Sequence, residues 1–310
     1  MSINWYDGIV VGVDGSAESL AALEWAARAA DLHEASLTVV AAYGVPITPD
    51  PGIGGLIGEI RAQARGAADT AHEWLAEHRA GGRVHGQHAK IDVVQGNAAY
   101  ELGRRSRTCG LVVVGRRGLG RIDRVVLGST SATLAATAPG AVAVVPAGAS
   151  TGDPRRIRVG VGLHDEPDVL GAAFAEAAAR GRPLEVVHVT DADALSSSFP
   201  EMDPIAASWR EAAKADLADR VARWSEKYPE VSCTIVVGRG DPATVLLRGL
   251  TPDDLVVVGG RRHQPLLGRM LRSVPDAVLR GAPCAVLVAH AHRRPASVPL
   301  GGNEAEDDSP

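Results

Sequence analysis

The stretch VVQGNAAYELGRRSRTCGLVVVG, residues 93–115, returns later in the chain as VVGRGDPATVLLRGLTPDDLVVVG, residues 236–259. Landmarks within and just after these stretches lie 144 positions apart, namely Gly96 and Gly240, Gly115 and Gly259, and Pro139 and Pro283. A constant spacing with a matching hydrophobic pattern is evidence of an internal duplication. We therefore interpret the chain as two copies of one unit, a first repeat at residues 1–147 and a second at 155–290.

Within the first repeat, short apolar runs alternate with segments of helical pattern. The runs close at Gly, Asp or Pro, which is typical of buried parallel strands; they lie at 8–14, 36–44, 88–96, 110–115 and 141–146. The segments between them predict helices at 17–33, 57–80, 97–108 and 129–137. Alternating strands and helices predict an α/β fold with two tandem, doubly wound, five-stranded parallel-sheet domains of Rossmann-like type.

The segments outside the repeats have a different composition. AGASTGDPRR, residues 147–156, is rich in Gly, Ser, Asp and Pro and predicts a linker. The last stretch, residues 291–310, has no hydrophobic period and many Pro and acidic residues. Such a segment cannot bury enough apolar surface to offset its conformational entropy, so we expect a disordered tail.

Composition narrows the function classes. The formal net charge is -5, which argues against nucleic acid as the main partner, and 45% hydrophobic residues are enough for real cores. No apolar run approaches the roughly 18 residues of a membrane span, and the N-terminus shows no basic signal-peptide region, so a cytoplasmic location is expected. The three cysteines stand alone, without metal-ligand spacing.

One segment combines the groups that a bound phosphate needs. GRRGLGRIDRVVLGST, residues 115–130 and here named the glycine loop, follows an apolar strand and holds four glycines, four arginines and a Ser-Thr pair. Glycines let backbone N–H groups approach an anion, and a helix that begins near Ser129 favours negative charge at its start. Asp14 also follows a strand, and strand ends meet at the ligand-binding edge of such sheets.

The spacing Gly115, two residues, Gly118, nine residues, Gly128-Ser129 is the pattern G-x2-G-x9-G-[S/T]. Together with VVGVDGS at 10–16 and PGAVAVVP at 139–146, it resembles the ATP-binding branch of the universal stress protein family, whose fold is adenine-nucleotide alpha-hydrolase-like. The resemblance implies that Gly12 and Asp14 lie at the nucleoside, with the Ala42 backbone beside the adenine. It further implies that ribose and phosphates are held by Gly115, Arg116, Arg117, Gly118, Leu119, Gly120, Arg121, Gly128, Ser129 and Thr130.

The second repeat departs from this pattern. Asp14 aligns with Gly162, Gly118 with Arg262, and Gly128 with Arg272, whereas Gly259 and Ser273 keep the pattern. Arginine places a bulky side chain where phosphate would lie and removes the backbone freedom of glycine. We expect a degenerate site that has lost the nucleotide or holds a different anion.

Other interpretations of these residues remain open. Asp14 is also a plausible helix cap, and the loop arginines could form a solvated face from which one or two reach phosphate. PDPGIGGLIG at 49–58 is interpreted as a flap over the pocket, and Trp25, Trp74, Trp209 and Trp224 as core residues.

The leading functional hypothesis is an ATP-binding regulator of a stress or signalling response that uses Mg²⁺, acts on an unknown protein partner and is not an enzyme beyond slow ATP hydrolysis. The alternatives are a weak ATPase or phosphoryl-transfer enzyme in the same pocket, and a non-binding dimerisation scaffold. The resemblance implies that the closing strands AVAVV and AVLV, after Pro139 and Pro283, pair to make an intramolecular pseudo-dimer, and a homodimer of whole chains is a further expectation.

Overall fold

The computed structural model describes residues 8–44, 54–80, 89–119, 127–162, 167–190, 203–260 and 273–290. Its strands are Ile9–Gly12 (β1), Leu37–Tyr43 (β2), Lys90–Gln95 (β3), Leu111–Gly115 (β4), Ala141–Val145 (β5), Ile157–Gly160 (β6), Leu184–Thr190 (β7), Cys233–Arg239 (β8), Leu255–Gly259 (β9) and Ala285–Ala289 (β10). Its helices are Ala17–Leu32 (α1), Gly54–Ala80 (α2), Ala98–Arg105 (α3), Ser129–Thr137 (α4), Pro167–Arg180 (α5), Asp203–Lys227 (α6), Pro242–Leu247 (α7) and Val274–Gly281 (α8).

The described strands form one sheet in the order β3-β2-β1-β4-β5-β10-β9-β6-β7-β8. All neighbours within each repeat are parallel, and the repeats join where β5 pairs antiparallel with β10, with Ala143 opposite Leu287. In each half the strand order reverses beside the repeat's first strand, between β1 and β4 and between β6 and β9. The predicted doubly wound α/β fold is confirmed.

Helices cover both faces of the sheet, which explains the unbroken apolar strands. Within β2, Val39 belongs to the core beneath α1 and α2, and its neighbour Val40 belongs to the core beneath α3 and α4. Leu23 of α1 and Phe174 of α5 are among the largest fully buried side chains of the first core. Because both faces are packed, the strand ends are the parts of the sheet left to meet a ligand.

Several helices begin with a side-chain cap, and α4 does not. A side chain of the preceding residue accepts a hydrogen bond from the first turn of α1, α3, α7 and α8; these caps are Ser16, Asn97, Asp241 and Ser273. The residue before α4 is Gly128, which has no side chain to offer. The backbone N–H groups at the start of α4 therefore lack the usual internal acceptor.

Two sequence interpretations are wrong. Helix α2 begins at Gly54, so the second half of the expected flap at 49–58 is helical, and residues 49–53 lie outside the described part. Trp209 is 51% exposed on α6 and is not a core residue, whereas Trp25 is buried and Trp74 and Trp224 pack against the core. The proposed tail, 291–310, also lies outside the described residues.

None of the helices in the described ranges combines the length and hydrophobicity that a membrane crossing requires. The limits of the two repeats, 1–147 and 155–290, stay predictions.

Candidate functional site

Asp14 lies at the end of β1, in a tight turn that leads into α1. Its Oδ1 accepts a hydrogen bond from the Ser16 N–H at 3.0 Å, and its own N–H donates to Ser19 Oγ at 3.3 Å. Gly15 between them has φ +86°, a left-handed conformation that suits glycine. The turn thus fixes one carboxylate oxygen, Oδ1, in place.

The glycine loop closes on that carboxylate. A Cβ placed on Gly118 would collide with Asp14 Oδ2, so the two residues are in direct contact although 104 positions separate them. Any side chain at position 118 would require the Asp14 carboxylate to move. The structure therefore brings together the two residues on which the nucleotide prediction most depends.

Gly115 and Gly12 allow close packing beneath the site. A Cβ on Gly115 would lie 2.8 Å from the backbone carbonyl carbon of Glu18, in the first turn of α1. A Cβ on Gly12 would lie 2.7 Å from Cδ1 of Leu102 on α3. Both glycines therefore serve helix packing, whereas the sequence analysis assigned them only to ligand contact.

Arg117 is held by a buried carboxylate that the sequence analysis missed. Glu18 is 6% exposed; its Oε2 accepts a hydrogen bond from the Arg117 N–H, and its Oε1 accepts from Nε at 2.9 Å and from a terminal guanidinium nitrogen at 2.6 Å. These charge-assisted bonds, two from the guanidinium to Oε1 and one from the backbone to Oε2, orient the loop. The sequence signal that could have suggested this pair is Ser-x-Glu at positions 16–18, which places an acidic residue in the first turn of α1.

Arg116 points in the opposite direction, toward the second repeat. Its guanidinium donates to the carbonyl oxygens of Ala282 at 3.0 Å and Arg280 at 3.4 Å, where α8 ends. Burial lowers the pKa of Arg116, with the charge of Arg117 acting the same way and that of Glu18 opposing it. The side chain expected at phosphate therefore lies in the contact between repeats.

The end of the loop packs against its beginning. The Gly128 N–H donates to the Arg116 carbonyl oxygen at 2.9 Å, and Ser131 Oγ donates to the same oxygen at 2.8 Å. Ser129 and Thr130 form the uncapped first turn of α4. This turn carries the positive end of the helix dipole and has no side-chain cap from Gly128; it starts next to Arg116 and Arg117 and so lies close to Gly118.

A cleft of about 550 Å³ opens at the neighbouring strand ends. Its described lining is Gly44, Gln95, Gly96 and Asn97, where β2 and β3 end, and Ala42 on β2 pairs with Val94 of β3. Ala42 thus lies beside a cavity of the size that small-molecule ligands occupy. The sequence signal for this lining is the Gln-Gly-Asn run that closes β3.

The remaining predicted residues are placed only in part. Leu119 is 53% exposed, and Gly120 and Arg121 lie outside the described ranges, as do Arg262 and Arg272 of the second repeat. The Gly162 carbonyl oxygen, at the position of Asp14, accepts a hydrogen bond from Arg220 at 3.1 Å. Within the described residues, His, Cys, Asp and Glu form no cluster of three or more that could hold a metal ion.

In a doubly wound sheet, the switch in strand order is the usual place for a ligand, and here the glycine loop meets Asp14 beside it. The model of the universal stress protein family matches this chain twice, at residues 6–146 and 154–290. The chain belongs to the universal stress protein family, and membership supports a role in the stress response.

Related proteins match nearly the whole chain. A universal stress protein of Mycolicibacterium smegmatis is 35% identical over 290 residues, which cover 91% of this chain and 96% of that protein. A universal stress protein of Mycobacterium tuberculosis is 33% identical over 311 residues, at 93% and 96% coverage. The crystal structure of a universal stress protein from Archaeoglobus fulgidus has a TM-score of 0.62 at 16% identity, over 92% of this chain and 98% of that one, and supports the fold.

Proposed function

We propose that the first repeat binds ATP with Mg²⁺ and that the protein is a nucleotide-dependent regulator of a stress response rather than a catalyst. The observation that carries the proposal is the contact between Gly118 and Asp14 beside the uncapped start of α4. At this edge of the sheet, where the strands end, a carboxylate, the backbone of a glycine and the N–H groups of a helix start lie together. These groups suit a ribose hydroxyl and a phosphate chain.

The adenine would lie near Ala42, at the cleft lined by Gly44 and Gly96. The phosphates would meet the backbone of Gly115 to Gly118 and the first turn of α4 at Ser129 and Thr130. Arg116 is not included as a side-chain ligand, because its guanidinium is used in the contact with the second repeat.

Mg²⁺ fits this arrangement as a companion of the nucleotide. It binds through phosphate oxygens and one or two carboxylates rather than through an all-protein cage, and Asp14 is the carboxylate at this edge. When bound, the ion supplies neutralisation of the phosphate charge. Asp14 orients the ribose side of the ligand, and Glu18 keeps Arg117 and the loop backbone in place.

Calorimetric titration of the full chain with Mg-ATP tests the proposal. We expect one site per chain, since the second repeat has glycine where Asp14 stands and arginine where Gly118 and Gly128 stand. Two sites would contradict the asymmetry between repeats. A flat titration at millimolar ATP would overturn the nucleotide proposal and favour a duplicated interaction scaffold.

A further inference from the structure

Arg116 occupies a junction between the glycine loop and the second repeat. Its carbonyl oxygen accepts hydrogen bonds from the Gly128 N–H and from Ser131 Oγ, which joins the start of the loop to its end. Its guanidinium spans 164 and 166 positions of sequence to reach the carbonyls of Arg280 and Ala282. One residue therefore fastens both ends of the loop to the far end of α8.

The end of α8 is a suitable acceptor for a cation. The last carbonyls of a helix carry partial negative charge and lack an intrahelical donor. Arg280, the basic residue of that last turn, turns its own guanidinium back to Asp276 at 3.0 and 3.1 Å. Arg116 of the other repeat supplies the charge-assisted bonds there in its place.

Among the described residues, the counterpart of Arg116 in the second repeat does not return the contact. Gly260 is the counterpart of Arg116, 144 positions later. The two residues make equivalent backbone hydrogen bonds, since the Arg116 N–H donates to the Val145 carbonyl and the Gly260 N–H donates to the Ala289 carbonyl. Gly260 has no side chain to return the contact, and a Cβ there would collide with the ring of His290. At this position the first repeat therefore contacts the second through the Arg116 side chain, and Gly260 makes no matching side-chain contact.

We infer that Arg116 is a positioning residue, which lets the second repeat complete and sense the phosphate-binding loop of the first. Helix α8 begins at Val274, next to its cap Ser273, and ends about 12 Å away at the carbonyls that Arg116 holds. Phosphates that order the loop around Arg116 also order α8. This inference rests on the proposed ATP site and assigns that site a coupling to the second repeat.

Hydrogen exchange of the wild-type chain gives the first test, and it needs no substitution. The amides of 274–281 are followed with no ligand, with adenosine and with Mg-ATP, because adenosine lacks the phosphates that the loop would hold. We expect Mg-ATP, and not adenosine, to slow exchange in α8 by several-fold. Equal exchange in α8 with and without bound Mg-ATP would overturn the coupling.

Arg116→Ala gives the second test, with Arg104→Ala as the matched control. Arg104 is an exposed arginine of the same repeat that pairs with Glu101 on the surface of α3. We expect Arg116→Ala to weaken Mg-ATP binding about ten-fold, to leave adenosine binding within about two-fold, and to remove the ATP effect on α8. Arg116→Lys, which keeps the charge, should restore part of the Mg-ATP affinity and part of the ATP effect on exchange in α8.

The outcomes separate the two proposals. Wild-type chain that binds no Mg-ATP ends the proposed function, and this inference with it. Wild-type chain that binds Mg-ATP, together with an Arg116→Ala chain that binds it equally well, ends the inference alone. An equal loss of ATP and adenosine affinity would also overturn it, since that result indicates a general structural role.

Discussion

The two repeats share their packing and differ at their strand ends. Gly12 in β1 and Gly160 in β6 each lie against a leucine, with a Cβ 2.7 Å from Leu102 and 2.6 Å from Leu246 respectively. At the ligand edge, by contrast, Asp14 has become Gly162. Divergence has therefore spared the close contacts that hold helices on the sheet and has altered the groups that would meet a ligand, which is the separation of fold from site expected in α/β proteins.

The helix starts show the same contrast. Helix α4 starts after Gly128 without a side-chain cap, whereas α8 starts after Ser273, whose Oγ accepts a hydrogen bond from the Asp276 N–H at 3.3 Å. A capping hydroxyl and a bound phosphate compete for the same backbone N–H groups. The second repeat caps its helix start with a side chain, whereas the first has no such cap, as the proposed phosphate site requires.

Gly118→Arg should have the largest effect, because it copies Arg262 into the first repeat. The new side chain must displace Asp14, so we expect Mg-ATP affinity to fall by about 100-fold or more. Ile205→Arg is the control, since it adds the same charge at an exposed residue of α6, outside the glycine loop. Calorimetry on both variants makes the comparison; retained affinity in Gly118→Arg would show that the second repeat is not degenerate for the reason given.

Asp14→Ala should have the next largest effect. It removes the carboxylate at the nucleoside and the acceptor of the Ser16 N–H, so we expect about ten-fold weaker binding and a loss of about 1 kcal/mol of unfolding free energy. Asp14→Asn keeps an oxygen for Ser16 and should recover the stability more than the affinity. Urea unfolding and ATP titration, run side by side, check this. Identical affinity in all three chains would remove Asp14 from the site.

Ser129→Ala and Ser273→Ala test the helix starts as an aligned pair. Ser273→Ala removes a cap and should cost about 1 kcal/mol of unfolding free energy without changing ATP affinity. Ser129→Ala removes no cap and should leave stability unchanged while weakening ATP binding a few-fold. If both variants lose only stability, the contrast between the two helix starts has no bearing on ligand binding.

The buried thiols test a property that should be alike in the two repeats. Burial raises the pKa of Cys109 to about 11 and that of Cys284 to about 12. The folded state thus favours the neutral thiol; this stabilisation is complete below pH 9 and is lost as pH rises toward 11. Unfolding free energy measured from pH 8 to 10.5 should fall, and thiol labelling at pH 8 should be slow until urea is added. Rapid labelling of either residue in the folded chain would contradict its burial.

Much of the fold could be predicted from the sequence because its signals are local. Apolar runs closed by Gly or Asp identified the strands, and α4 begins at Ser129 and ends at Thr137 as its pattern predicts. The antiparallel pairing of β5 with β10 followed from the family resemblance and not from the residues themselves. Trp209 is exposed although Ala206 and Ala213, three and four residues away on α6, are buried, since helical spacing does not tell how much of a helix face its neighbours cover.

The candidate site could be predicted only in outline. The glycine spacing pointed to the loop, and the contact of Gly118 with Asp14 agrees with the expected meeting of strand ends. The directions of Arg116 and Arg117 could not be predicted, because their partners lie 99 to 166 positions away. The sequence shows that an arginine is present, but its hydrogen-bond partner depends on which carboxylate or carbonyl the fold brings near.

The antiparallel pairing of β5 with β10 within one chain affects how the two repeats can mutate. Two identical chains that met through this edge would share every mutation, so neither could lose Asp14 unless both did. A single chain that contains both partners removes that constraint, since position 14 and position 162 vary independently. The covalent link also makes the pairing insensitive to dilution, because each strand meets its partner at a fixed effective concentration. A duplicated chain of this kind therefore lets its two halves specialise.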